Sequence, residues 1–178
     1  MRPTRHSLPL LCALIAAPAL SHAHILGAEH GLAAGLLHPL TGIDHLLTLL
    51  AAGFWARRMG GSAQWMIPFA MLAALAGGTL LGLAGIHWSW VEPAVWSSVP
   101  FMAWLALRGR THHLSLNVLL AATVGILHGF AHVAGQPTDH GLEAFVAGVL
   151  ITSTALLGLG AALTLAWRTP QQADMHHS

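Results

Sequence analysis

His38, Asp44 and His45 stand within the segment His38-Pro39-Leu40-Thr41-Gly42-Ile43-Asp44-His45, at the head of an apolar run that continues almost uncharged to Ala56. A second pair, His128 and His132, lies four residues apart in another apolar run. Imidazole nitrogens and a carboxylate are ligands for divalent transition metals. The single cysteine, Cys12, falls in a stretch read below as a removed leader, which leaves nitrogen and oxygen as the donors on offer. Ionisable groups at membrane depth cost at least about 2.5 kcal/mol each, so they tend to face a protein interior and mark a pathway or a site.

Spacing bears on which groups can share an ion. On a regular helix His38 and His45 would return to nearly the same face, about 10 Å apart along the axis, too far for one ion. Pro39 suits the first turn of a helix and cannot continue one from its N-terminal side, so residues 38–42 read as a bent or re-entrant segment. Irregular backbone of this kind is tolerated at membrane depth where it lines a cavity. Asp44, about a quarter turn from His45, is either a direct ligand or an acceptor that fixes a histidine tautomer. His128 and His132, at i and i+4, sit one above the other on one face and can chelate one ion. The bland alternative is that Asp44 caps local backbone and the histidines only hydrogen-bond to neighbouring helices.

The elements that position these groups are membrane helices. Of 178 residues, 55% are hydrophobic and 7% charged, where soluble domains carry roughly a quarter charged residues. A formal net charge of +1 gives no basic footprint for nucleic acid. Residues 1–23 read as a secretory signal: Arg2 and Arg5, an apolar core from Leu8 to Leu20, and a Ser21-His22-Ala23 cleavage site that makes His24 the new N-terminus. Five spans follow at about twenty apolar residues per crossing: 34–56, 64–85, 93–107, 114–135 and 142–167, the third interrupted by Pro100. The expected fold is therefore all-α: a polytopic membrane helix bundle of five transmembrane helices after a cleaved signal peptide. It comprises one domain over 24–168 and a polar cytoplasmic tail over 169–178.

Arginine placement orients this bundle. Arg57 and Arg58 follow the first span, Arg108 and Arg110 the third, and Arg168 the fifth. Placing these ends in the cytoplasm puts the loops at 86–92 and 136–141 outside with no arginine, which satisfies the positive-inside bias. The location is then a bacterial inner membrane, with the mature N-terminus periplasmic and the C-terminus cytoplasmic. Trp88, Trp90 and Trp96 fall at the outer interface, and Trp55, Trp65, Trp104 and Trp167 near the inner one, as an aromatic belt. Glycines four apart, Gly27, Gly31 and Gly35, then Gly78 and Gly82, are read as close-packing positions between helices. Counting about 1.5 Å per residue from the outer ends brings His38, His45, His128 and His132 to a common level in the periplasmic half.

The motif His38-Pro39-x-x-Gly42-x-Asp44-His45 after a signal peptide, with His128-Gly129-Phe130-Ala131-His132 in the fourth span, resembles the HupE/UreJ family over essentially the whole chain. The resemblance implies a small membrane permease for nickel, or nickel and cobalt, tied to hydrogenase and urease maturation proteins. It implies that His38, Asp44, His45, His128 and His132 serve metal uptake. In that family a glutamate often follows three residues after the last histidine of the second motif; here the position is Gly135. The donor set alone suits nickel, cobalt, copper or zinc alike, so the named ions rest on the resemblance.

The reading that follows is a permease with no catalytic residues and no organic cofactor, whose partners are the bilayer and the ions it moves. His24 and His30, with Glu29, His140 beside Asp139, and His87 with Glu92 are outer-loop candidates for ion capture; His112, His113, His176 and His177 are candidates on the exit side. Three other readings compete. A haem-b module would use His45 and His132 as axial ligands. An intramembrane metallohydrolase would need a general base, and Asp44 is the only acid deep inside a span. A metal-delivery partner in enzyme maturation shares every feature of a permease at this level.

Overall fold

The structure, a computed structural model, describes residues 31–84, 86, 88–108, 113–132 and 141–167. The signal segment, His24, Glu29, His30, His87, His112, Gly135, Asp139, His140 and the tail lie outside the described residues. Six helices are described: α1 (Gly31–Thr41), α2 (Ile43–Met59), α3 (Ala63–Leu83), α4 (Val91–Arg108), α5 (Leu114–Ala131) and α6 (Leu142–Ala166). Of these, α3, α5 and α6 are each long and apolar enough to cross a bilayer by length and composition.

The first expected span is two helices, and the break falls elsewhere than the sequence suggested. Pro39 does not begin a helix; it sits inside α1, in the last turn, with its ring buried. The interruption is the single residue Gly42, extended at φ −77°, ψ 103°. Backbone bonding nearly bridges it: Gly42 N–H donates to the His38 carbonyl (3.0 Å), and Leu46 N–H to the Gly42 carbonyl (2.9 Å). The His38 and Gly42 carbonyls thus stay paired across the break, as a membrane interior favours. Asp44 then falls in the first turn of α2, where the helix dipole favours a carboxylate.

Two pairs of parallel helices frame the bundle. Against α6, residues 32–36 of α1 meet 145–152, and residues 50–53 of α2 meet 157–160. Low numbers meet low numbers, so the broken α1–α2 element and α6 run in the same direction. In the same way α3 runs with α5, Met71 against Gly125 and Leu75 against Gly129. Gly129 carries no side chain because a Cβ there would collide with the Leu75 carbonyl; Gly53 stands likewise against Leu157. Hydroxyls tie these seams. Thr79 Oγ1 lies 3.0 Å from the Leu75 carbonyl and 3.2 Å from that of Gly129, and Thr152 Oγ1 donates to the Leu36 carbonyl at 2.9 Å.

Three sequence expectations change here. Trp55 belongs to no belt: it is completely buried, packed with Ile67, Met71, Met102 and Leu157 in the core. A large indole facing α3 and α4 removes more apolar surface there than at an interface. Trp65, Trp88, Trp90, Trp96, Trp104 and Trp167 remain exposed. Gly31 makes no close contact; its φ of +82° marks the chain's turn into α1. The α5 helix ends at Ala131 rather than 135, with His132 as its C-cap.

Candidate metal site at one end of the helix bundle

α1 and α2 present His38 and His45 on either side of Gly42, and α5 brings His128 and His132 on its final turn. The kink decides the geometry. Where an unbroken helix would hold His38 and His45 about 10 Å apart, their ring centroids are 5.2 Å apart. His132 completes a triangle, 4.6 Å from each of them, and His128 lies 4.5 Å from His45 on its other side. The candidate ligand atoms form two overlapping groups, His38–His45–His132 and Asp44–His45–His128, each within 4.8 Å. His45 belongs to both.

Each of three imidazoles has one nitrogen engaged by the protein. His45 Nδ1 is 3.0 Å from Asp44 Oδ2, which assigns the proton to Nδ1 and leaves Nε2 with its lone pair. That Nε2 lies 3.4 Å from His132 Nδ1. The His132 Nδ1–H also donates to the His128 carbonyl one turn back, and its Nε2 is buried with no partner among the described residues. His128 Nε2 is 2.8 Å from Ser98 Oγ. Ser98 has one hydroxyl hydrogen, directed at the Val95 carbonyl (2.7 Å), so His128 Nε2–H donates to Ser98 and Nδ1 is left unprotonated. A histidine anchored through one nitrogen by a carboxylate, carbonyl or hydroxyl offers the other to a metal in a fixed orientation.

His45, His128 and His132 are buried, whereas His38 and Asp44 retain partial exposure. Phe145 of α6 walls the group, its ring 5.7 Å from His38 and 6.3 Å from His132. Donor atoms around one ion at about 2.0–2.1 Å stand roughly 3 Å apart, so either group, whose candidate ligand atoms lie within 4.8 Å of one another, would draw inward to accept one.

All five residues singled out in the sequence therefore converge. Ser98 was missed; its signal was a serine in an apolar stretch of α4 at the depth of His128. Among the described residues the arginines lie at the opposite ends of their helices, with Arg57 and Arg58 closing α2 and Arg108 closing α4, and Arg110 and Arg168 lie outside the described residues. Arg58 Nη1 donates to the Ala106 and Leu107 carbonyls, tying those two ends together. His113, an exit-side candidate, stands at the start of α5, a full helix length from His132.

Residues 10–177 match the HupE / UreJ protein family. Protein HupE of Rhizobium leguminosarum bv. viciae is 35% identical over 152 residues, covering 84% of this chain and 80% of that protein. No solved structure matches the chain. On the extent of that match the chain belongs to the HupE / UreJ family.

Proposed function

We propose that the protein is a multi-pass inner-membrane permease for divalent transition-metal ions, nickel foremost and cobalt with it, supplying metalloenzyme maturation. In this reading the α1–α2 element and α4 cross the bilayer with α3, α5 and α6, making five crossings after a cleaved leader. The outer ends of the helices face the periplasm, and the arginine-bearing ends face the cytoplasm. An ion arriving from outside meets His38 first, because it is the more exposed imidazole. It exchanges water for His45, His132 and His128, with Asp44 holding His45 in register or binding directly, and leaves toward the arginine-flanked side.

The observation that carries this reading is the convergence of four imidazoles and one carboxylate from α1, α2 and α5, three of the rings anchored from behind. Histidines that served packing alone would not leave the buried Nε2 of His132 without a partner among the described residues. A haem-b site fits less well. Axial imidazoles stand on opposite faces of a porphyrin and point away from each other, whereas the His45 and His132 rings sit 4.6 Å apart, centroid to centroid. Uptake of nickel or cobalt by cells carrying His45→Ala or His132→Ala tests the assignment. Both variants are expected to lose accumulation above background, and wild-type uptake in both defeats the proposal.

A further inference from the structure

The five donors do not close into one group. They fall into two sets of three, His38–His45–His132 and Asp44–His45–His128, and within each set the candidate ligand atoms lie within 4.8 Å of one another. His45 is common to both, its ring centroid 4.6 Å from that of His132 and 4.5 Å from that of His128. A neutral imidazole carries one protonated nitrogen and has a single lone pair to give. Asp44 Oδ2 accepts from Nδ1, so His45 can serve one ion, and one set, at a time.

The two sets differ in position and in chemistry. Passing from the first to the second exchanges His132 for His128, one turn earlier on α5 and about 6 Å along its axis. It also exchanges His38, before the break at Gly42, for Asp44 after it. Both exchanges lead toward the core, where Leu49 and Ala52 of α2 share one buried cluster with Ala121 and Val124 of α5. The first set holds the partly exposed His38; the second holds His128, which is 1% exposed and fixed from α4 by Ser98. Three imidazoles make the first set, and His132 brings to it a buried Nε2 with no partner among the described residues. Two imidazoles and a carboxylate make the second. That one carboxylate cannot offset the repulsion between two dications held so close together.

We propose that the two sets are successive positions of a single divalent transition-metal cation, which enters at His38–His45–His132 and is handed, with His45 staying bound, to Asp44–His45–His128. The inference rests on the permease reading and deepens it. An all-imidazole entry set discriminates against calcium and magnesium, which prefer oxygen donors. Asp44 then supplies the negative charge that draws the cation inward. Exchange around a retained ligand never strips the ion of every protein donor, so no step requires full release inside the bundle. Closely spaced alternative positions are also what lets a bound ion move on.

Cobalt is titrated into the full-length wild type, His38→Ala, His128→Ala and His45→Ala in detergent, with stoichiometry and coordination read from its visible absorption. The same proteins, in liposomes loaded with a metal-responsive dye, report cobalt entry. Wild type is expected to bind one cobalt per chain. His38→Ala and His128→Ala should each still bind one, with different spectra, because one variant keeps the carboxylate-containing set and the other the imidazole set. His45→Ala, which breaks both sets, should bind at least about tenfold more weakly than either. Entry should slow about tenfold or more in His128→Ala although its cobalt is still bound. Two cobalt ions per wild-type chain overturn the handoff in favour of a site that holds both at once. Binding lost in His38→Ala or His128→Ala as fully as in His45→Ala overturns it too, since the donors would then form one indivisible site. So do identical spectra in the two variants, or entry at the wild-type rate through His128→Ala. The wild-type stoichiometry needs no variant, and His132→Ala breaks the entry set from α5 should His38→Ala not fold. A wild type that binds no cobalt removes the permease reading, and the handoff with it.

Discussion

Asp44 Oδ2 lies 3.0 Å from His45 Nδ1, and the other nitrogen of that ring lies 3.4 Å from His132. The carboxylate thereby sets which face of His45 confronts the α5 histidines. Asp44→Asn keeps the shape and removes the charge. Cobalt affinity of the purified protein is expected to fall about 10- to 100-fold, the usual effect of losing a histidine's supporting partner. Asp44→Ala should fall at least as far. Affinity unchanged in both variants would leave Asp44 only a helix-start residue.

Ser98 supports His128 in the same way from α4. Ser98→Ala removes the acceptor of the Nε2 proton while vacating little volume, and cobalt binding is expected to weaken about tenfold. Ser97→Ala is the control, since Ser97 donates to the Pro93 carbonyl and is exposed. Equal effects from the two would detach Ser98 from the site.

Gly42 is the hinge on which the spacing depends. A Cβ there would meet Asp44 Oδ1 at 3.2 Å and His45 Nδ1 at 3.3 Å, and helix propensity would favour closing the break. Gly42→Ala is expected to weaken cobalt binding with little change in thermal unfolding. Gly129→Ala should do the reverse first, driving a methyl into the Leu75 carbonyl and destabilising the α3–α5 seam by about 1–3 kcal/mol. Thermal unfolding in detergent distinguishes the two.

Imidazole must be neutral to bind an ion, so protons and metal compete for the same lone pairs. Cobalt affinity measured between pH 8 and pH 5 is expected to decline as pH falls. An affinity flat across that range points to ligands other than histidine.

The orientation can be read from outside the cell. Cysteine placed at Ser89 should react with an impermeant maleimide added to intact spheroplasts, and cysteine at Gly61 should react only after lysis. Labelling of Gly61→Cys from outside inverts the topology proposed here.

Sequence alone was enough to single out the candidate site. Four histidines and an aspartate embedded in apolar runs are expensive enough to mark candidate site residues before any coordinates, and their motifs carried the family. It also marked Gly35 and Gly78 as close-packing positions, which they are, because a missing side chain in a lipid-facing helix has few other uses. What tertiary structure alone decided was distance and support. A seven-residue separation gives one spacing on a straight helix and another across a bend, and the bend at Gly42 rather than Pro39 depends on how α1 and α2 pack together along α6. Trp55 looked like a belt residue because its distance from the chain's arginines is visible in one dimension, while the side it faces is not. Ser98 was silent for the same reason. A serine or threonine in a membrane helix usually satisfies itself on its own backbone, and only the packed neighbours reveal that Ser98 also accepts from His128.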